Sequence, residues 1–235
     1  MAPAPSDADF RPALVIVDVQ EDFCPPNGAL AVHDGRAVVP TINRLLRLPF
    51  AARVATKDWH PRDHVSFASN HAAPDNVPFD TTVTIANPHN PAETQTTRLW
   101  PDHCVQGTPG AELISELDQS RVTSVVEKGQ DRRVEMYSAF ADPFRRPPVA
   151  RSGLADLLRA AGVSDVFVVG LAMDYCVKFT ALDAVAEGFR TVVVREGTKA
   201  VDPARWSEVQ EEMEAAGVGF VSVDGEEVKR VERLL

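Results

Sequence analysis

The chain has 235 residues, of which 44% are hydrophobic, and carries a formal net charge of -10. A chain of this length buries a full core as one α/β domain. The acidic balance argues against a nucleic-acid or anionic-membrane partner, because both require a basic surface. No apolar run is long enough to span a bilayer. A small molecule is therefore the expected partner.

Cysteine usage points to a reducing environment. Cys24, Cys104 and Cys176 are odd in number and widely spaced, unlike a disulfide framework, and no apolar signal segment leads the chain. We therefore expect an intracellular protein, in the cytoplasm or the nucleus. Residues 1–11 are small, polar and Pro-rich, and are expected to form a loose arm before a single domain over residues 12–235.

Short β-branched runs alternate with amphipathic segments from the first strand onward. Strands are predicted over residues 13–19, 52–57, 122–128, 165–171, 191–196 and 218–223. Helices are predicted near residues 38–48, 109–118, 152–161, 176–188 and 204–216. This alternation predicts an α/β fold, with a six-stranded, mostly parallel, doubly wound sheet and helices on both faces. The segment over residues 61–109 shows neither period, and loops of such length are usually functional or disordered.

Ionisable side chains follow several predicted strands, at the edge where open α/β sheets bind ligands. Asp18 ends the first strand, Lys128 ends the third, and Cys176 follows the fourth. A carboxylate can accept the thiol proton and an ammonium group stabilises both anions, so this set suits acyl transfer. The backbone N–H groups of Ala172 and Cys176 are the candidate oxyanion hole. An ordinary buried ion pair beside an inert cysteine is the alternative interpretation.

A second group of polar residues follows the second predicted strand. Asp58 and His60 stand two positions apart, and His103 comes from the distant stretch LWPDHC. A carboxylate and two imidazoles can hold one divalent ion and leave coordination positions open. The remaining histidines of this region, His64 among them, are interpreted as supporting or surface residues.

Aromatic residues near these motifs could wall a flat aromatic substrate. Phe23, Trp59, Trp100 and Tyr137 are the aromatic residues of this kind, and Phe23, Trp100 and Tyr137 are the candidates for the substrate pocket. Taken singly, each aromatic side chain also suits a packing role in the core or in a loop.

With these residues placed, the chain resembles the nicotinamidase and pyrazinamidase group of the isochorismatase-like cysteine hydrolases. The resemblance rests on ALVIVDVQEDFCPPNGALAV, ATKDWHPRDHVSFASNH, LWPDHCVQGTPGAEL, EKGQDRRVEMYSAF and VVGLAMDYCVKFTALDAVAEGF, which are spread over most of the chain. The pattern DWHPxxHxSFxxNH followed by LWPxHC is typical of the metal-binding members of this group.

The resemblance implies hydrolysis of nicotinamide to nicotinate and ammonia through a cysteine thioester, in NAD salvage. Pyrazinamide would be a further candidate substrate, and a homo-oligomer a candidate assembly. The implied catalytic triad is Asp18, Lys128 and Cys176.

The resemblance also implies a metal that holds the pyridine nitrogen of the substrate. Its ligands would be Asp58, His60 and His103. Zinc is the expected ion, although iron and manganese suit the same donors. A cis peptide is implied between Leu171 and Ala172.

Two other functions fit part of the sequence. One is a related hydrolase of another small amide, such as a carbamoylated amine or a biuret-like compound, and the metal motif argues against it. The other is a silent metal-binding or redox-sensing protein whose Cys176 simply oxidises. The joint presence of the triad candidates and the ligand set argues against that function.

Overall fold

The computed structural model describes residues 10–234 and is built around one parallel sheet. The strands of this sheet are β1 (Pro12–Val17), β2 (Ala52–Asp58), β5 (Ser124–Lys128), β6 (Asp165–Leu171), β7 (Arg190–Lys199) and β8 (Gly219–Val221). Strands β3 (Thr82–Asn87) and β4 (Asn90–Arg98) form a separate antiparallel hairpin. The sheet order is β5-β2-β1-β6-β7-β8 and every neighbouring pair is parallel, which confirms the predicted six-stranded doubly wound sheet.

Helices cover both faces of the sheet, so its central strands are buried on both sides. The helices are α1 (Val39–Leu46), α2 (Leu154–Ala160), α3 (Lys178–Ala186), α4 (Trp206–Ala215) and α5 (Glu226–Glu232). Leu14 and Ile16 of β1 share one hydrophobic cluster with α1 and α5. Val15 and Val17 share the other cluster with α2, α3 and α4. The alternation follows from the two-residue period of a strand.

The strand order reverses between β1 and β6, because the chain builds the sheet outward from β1 in one direction and from β6 in the other. Ligands of open α/β sheets bind at such a switch point, beyond the carboxyl ends of the strands. Asp18 directly follows β1, and a π-helical turn over Met173–Val177 follows β6. The fold therefore brings both segments to the same crevice.

The helix predicted near residues 109–118 is wrong. Only a 3-10 turn forms, over Pro109–Ala111, and the chain then runs extended beside the segment that follows β1. The Ile114 N–H donates to the Val19 carbonyl at 3.1 Å, and the Glu112 carbonyl accepts from the Glu21 N–H at 3.0 Å. These tertiary hydrogen bonds replace the bonds of a helix, while the apolar residues that suggested a helical period are buried against the core.

Two elements were missed by the sequence analysis. The β3–β4 hairpin lies within residues 61–109, and it escaped notice because its alternating residues are mainly threonines and other polar side chains rather than apolar ones. Helix α5 is short, and among its residues only Val228 and Val231 are buried. Val83 and Ile85 alternate with threonines in β3, but this apolar period is too short to indicate a strand, and neither β4 nor α5 has a longer one.

The ends of the described chain bear on two expectations. Residues 1–9 of the predicted arm lie outside the described residues, whereas Phe10 is buried and Arg11 donates to the Ala161 carbonyl. Within residues 10–234, no helix combines the length and apolar character needed to cross a membrane.

Candidate active site

A buried ammonium group stands at the centre of the candidate site. Lys128 Nζ lies 2.9 Å from Asp18 Oδ2, 2.5 Å from Asp58 Oδ1 and 3.5 Å from Cys176 Sγ. Burial alone would lower the pKa of Lys128, but the two carboxylates outweigh it and raise the pKa well above its ordinary value. Lys128 therefore remains a cation that holds two carboxylates and a thiol around one point.

Asp18 is a fully buried carboxyl group at the end of β1. The Thr56 hydroxyl donates to Asp18 Oδ1 at 2.6 Å, and Lys128 faces Oδ2. Burial raises the pKa of Asp18 to about 6, although Lys128 opposes the shift. Such a group is ionised near neutral pH and can still take up a proton.

Cys176 lies in the π-helical turn after β6 and is buried. Its Sγ and one carboxylate oxygen each of Asp18 and Asp58 lie within 4.8 Å of one another. Burial raises the pKa of the thiol well above its ordinary value, against the opposing effect of Lys128. The resting group is therefore a thiol with a proton acceptor beside it, and activation requires transfer of its proton.

The three predicted metal ligands lie together next to this cluster. Asp58 Oδ2 is 3.6 Å from His60 Nε2 and 4.0 Å from His103 Nε2, while Asp58 Oδ1 contacts Lys128. Ligand atoms about 2 Å from a shared zinc ion stand roughly 3–4 Å apart, so the spacing fits one ion. Asp58 thus belongs to both groups through its two oxygens.

Hydrogen bonds orient both imidazoles for coordination. His60 Nδ1 lies 2.8 Å from the Gly129 carbonyl and His103 Nδ1 lies 2.8 Å from the Pro101 carbonyl. These carbonyls can only accept, so each Nδ1 carries the proton and each Nε2 is left as a lone-pair donor. His60 Nε2 is buried and has no hydrogen-bond partner within residues 10–234. An orphaned buried nitrogen facing a carboxylate is the arrangement that a bound cation completes.

Burial and the neighbouring charges together set the pKa shifts of the three predicted metal ligands. Burial opposes the charge on Asp58, but Lys128 and His60 outweigh it and lower the pKa of Asp58. Burial lowers the pKa of His103 to about 4, so its ring is neutral, as a metal ligand must be. Asp58 outweighs burial at His60 and raises the pKa of that ring, which reflects the attraction of the carboxylate for a cation there.

His64 and Glu135 form a further buried pair beside His60. The ring of His64 lies 4.1 Å from that of His60 between centroids, but its nitrogens contact Ser66 Oγ and the Val134 carbonyl. Glu135 was missed by the sequence analysis, although it lies within the quoted stretch EKGQDRRVEMYSAF. Burial raises its pKa, and its carboxyl group can join His60 and His64 around a common point.

A narrow cavity opens beside the thiol. All three residues predicted for the substrate pocket line it, namely Phe23, Trp100 and Tyr137. Cys176 and Ala172 lie at the same cavity, as do Asp58 and His103. The cavity therefore borders both the thiol and two of the predicted metal ligands.

The aromatic wall is held in place by its own contacts. The Tyr137 hydroxyl accepts from Trp100 Nε1 at 2.9 Å and lies 2.8 Å from Thr97 Oγ1 of β4. Tyr175 was not predicted for the pocket, but it lines the cavity and packs edge-on against Trp100. Trp59, by contrast, lies outside this cavity, under the Lys57 ammonium group.

The turn that carries the thiol also holds the candidate oxyanion-hole residues. The peptide bond between Leu171 and Ala172 is cis, as the resemblance implied. The Ala172 carbonyl accepts from the N–H groups of Tyr175 and Val177, which ties the turn back on itself. Ala172 and Cys176 thereby face the cavity from adjacent positions.

Comparison with known proteins identifies the family to which this α/β fold and its candidate hydrolase site belong. The isochorismatase domain matches residues 12–224, and the chain belongs to this family. The nicotinamidase of Acinetobacter baylyi is 41% identical over 211 residues, or 89% of this chain and 92% of that protein. The crystal structure of the yeast nicotinamidase bound to the inhibitor nicotinaldehyde has a TM-score of 0.83 at 33% identity, covering 90% of this chain and 99% of that one. The pyrazinamidase of Pyrococcus horikoshii in complex with zinc gives a TM-score of 0.68 at 34% identity, with 90% and 99% covered.

Proposed function

We propose that this protein is a nicotinamidase, which hydrolyses nicotinamide to nicotinate and ammonia in NAD salvage. The observation that carries the proposal is the junction of a thiol, a carboxyl group and an ammonium group at a cavity walled by aromatic rings. The relatives described above, which are named as nicotinamidases and pyrazinamidases, support the same reaction. We further propose a cytoplasmic location.

The first chemical step in this proposal is formation of the thioester. Asp18 takes the proton of Cys176, and the sulfur attacks the carboxamide carbon to give a tetrahedral adduct. Lys128 supports this step because it stays charged and stabilises both the carboxylate and the thiolate. The N–H groups of Ala172 and Cys176 are the donors for the developing oxyanion.

The second half of the reaction returns the site to its starting state. The proton held by Asp18 passes to the amide nitrogen, the carbon–nitrogen bond breaks and ammonia leaves. A water molecule then loses a proton to Asp18 and attacks the thioester carbon. The carbon–sulfur bond breaks, the thiolate regains the proton from Asp18, and nicotinic acid is released and ionises to nicotinate.

We also propose that Asp58, His60 and His103 hold one divalent ion, for which zinc is the first choice. The donor set, the two oriented Nε2 atoms and the orphaned nitrogen of His60 support this proposal. The ion would supply a Lewis-acid contact for the pyridine nitrogen and so orient the ring. Phe23 and Trp100, which both line the cavity, would contact the faces of the ring.

The test is ammonia release from nicotinamide by the purified protein, before and after metal chelation and zinc return. The Cys176→Ala variant is expected to lose activity by a factor of ~1,000 or more, because the nucleophile is gone. Cys24→Ala is the matched control, since Cys24 is another buried free cysteine and does not line the cavity. A zinc-loaded wild type that releases no ammonia from nicotinamide would contradict the proposed function.

A further inference from the structure

Gln20 is a fully buried residue just beyond β1, and its side-chain amide forms hydrogen bonds with the backbone of Asp58. Gln20 Nε2 donates to the Asp58 carbonyl at 2.8 Å, and the Asp58 N–H donates to Gln20 Oε1 at 2.8 Å. Nε2 makes a second bond, to the Ala111 carbonyl at 2.8 Å. Both amide hydrogens and the amide oxygen are therefore engaged.

The hydrogen bonds between Gln20 and Asp58 replace those that a neighbouring strand would make to β2 at this position. The ladder between β1 and β2 ends at the pair Ile16 and Ala55, whereas β2 continues to Asp58 and pairs there with Lys128 on its other side. In a parallel sheet, the N–H and the carbonyl of one residue point to the same neighbour. The Gln20 amide occupies the place of the missing neighbour and completes the hydrogen bonding of Asp58.

The position of Asp58 has two consequences for the site. One carboxylate oxygen contacts Lys128 and the other faces His60 and His103. A small rotation of the Asp58 backbone would move both oxygens together. Metal ligands tolerate only a few tenths of an ångström of error, and groups that orient ligands are known to control affinity.

We infer that Gln20 is a positioning residue for the metal site, although it lines neither the cavity nor the ligand cluster. Its amide fixes the Asp58 backbone and so sets the geometry of a bound divalent ion. The inference rests on the proposed function, because it assumes that Asp58 is a metal ligand. It predicts that zinc affinity depends on a side chain that never touches the ion.

The test measures the zinc dissociation constant by competition with a chromogenic chelator, without any activity assay. Gln20→Glu keeps the acceptor for the Asp58 N–H, but loses both donors and sets a carboxylate against two carbonyls. Gln20→Met keeps the length and removes all three bonds. Each variant is expected to bind zinc about 10- to 100-fold more weakly than wild type.

Asp142→Asn is the matched control. Asp142 is also fully buried and also holds backbone N–H groups, those of Phe144, Val149 and Ala150, but it is not among the ligand candidates. Loss of the Asp142 carboxylate is expected to lower the melting temperature and to leave the zinc affinity unchanged. Gln20→Asn keeps the amide on a side chain that is one methylene shorter. It replaces the other Gln20 variants in the zinc measurement if they do not fold.

The outcomes separate the two proposals. If wild type does not bind zinc or a similar ion, the proposed metal site is wrong. If wild type binds zinc and folded Gln20 variants bind it equally well, the metal site stands and the inference about Gln20 is overturned. Weaker binding by the Gln20 variants, with wild-type affinity in Asp142→Asn, supports the inference.

Discussion

In the proposed mechanism, the ionisation of Asp18 decides whether the Cys176 thiol can be activated. Asp18 is enclosed with Lys128 and Cys176, so its charge is stabilised by one cation and penalised by the loss of water. Burial outweighs the ion pair and leaves the pKa at about 6 rather than the ordinary 3.8. The base is therefore weak enough to return its proton, yet ionised at neutral pH.

This pKa predicts the acid limb of the pH profile. Below a pH of about 6, Asp18 is protonated and cannot accept the thiol proton, so kcat/KM should fall about tenfold per pH unit. The Thr56 hydroxyl stabilises the charged form, and Thr56→Val should move the limb to higher pH. The measurement is kcat/KM between about pH 4.5 and 8 with zinc saturating at every pH. A flat profile, or a shift to lower pH in the variant, would contradict this role.

Strands β1 and β6 approach each other closely where they deliver Asp18 and the thiol turn. Gly170 has a φ of 112°, and a Cβ at this position would lie 2.0 Å from the Val17 carbonyl oxygen. The backbone of Val17 cannot move aside as a flexible side chain could. The close packing of the two strands therefore depends on the absence of a side chain at Gly170. The thiol turn begins three residues later, at Met173.

Gly170→Ala is therefore expected to destabilise the fold by ~3 kcal/mol or more, through a backbone clash added to an unfavourable φ. Gly188→Ala is the matched control, because Gly188 also has a positive φ, of 93°, but a Cβ there meets nothing within 4 Å. Its cost should be only about 1 kcal/mol. Urea unfolding measures both, and equal effects would show that the close approach of β6 to β1 is not what requires glycine.

At the scale of the whole molecule, the proposed metal-ligand cluster joins segments that are distant in the chain. Asp58 ends a strand of the central sheet, whereas His103 follows the β3–β4 hairpin. A ligand that binds only the folded chain stabilises it by mass action. Zinc binding should therefore link global stability to the ligand cluster.

Zinc at 100 times its dissociation constant is expected to stabilise the protein by about 2.7 kcal/mol, and to raise Tm by roughly 5 to 10 °C. His103→Ala should abolish most of this shift. His71→Ala is the control, because His71 contacts the Val65 carbonyl and is not among the ligand candidates. Calorimetry with and without zinc measures the shift, and an equal shift in His103→Ala would contradict the assigned ligand set.

The sequence by itself determined the parallel sheet and its six strands, because short apolar β-branched runs report burial on both faces wherever the chain folds. It also named the ionisable residues at the strand ends, Asp18, Lys128 and Cys176, because parallel strands deliver their carboxyl ends to one edge. Asp58 and His60 could be named for the same reason, whereas His103 was named from the stretch LWPDHC.

Only the tertiary structure decided the features that depend on contacts between distant segments. The stretch near residues 109–118 has a helical apolar pattern, but Glu112 and Ile114 bond to the chain after β1, and only a 3-10 turn forms before them. Gln20 acts on the backbone of Asp58, and Glu135 reaches His60, through contacts that no local pattern encodes. Local sequence reports which face of an element is buried, whereas the partner of a buried polar group is set only when the strands are assembled.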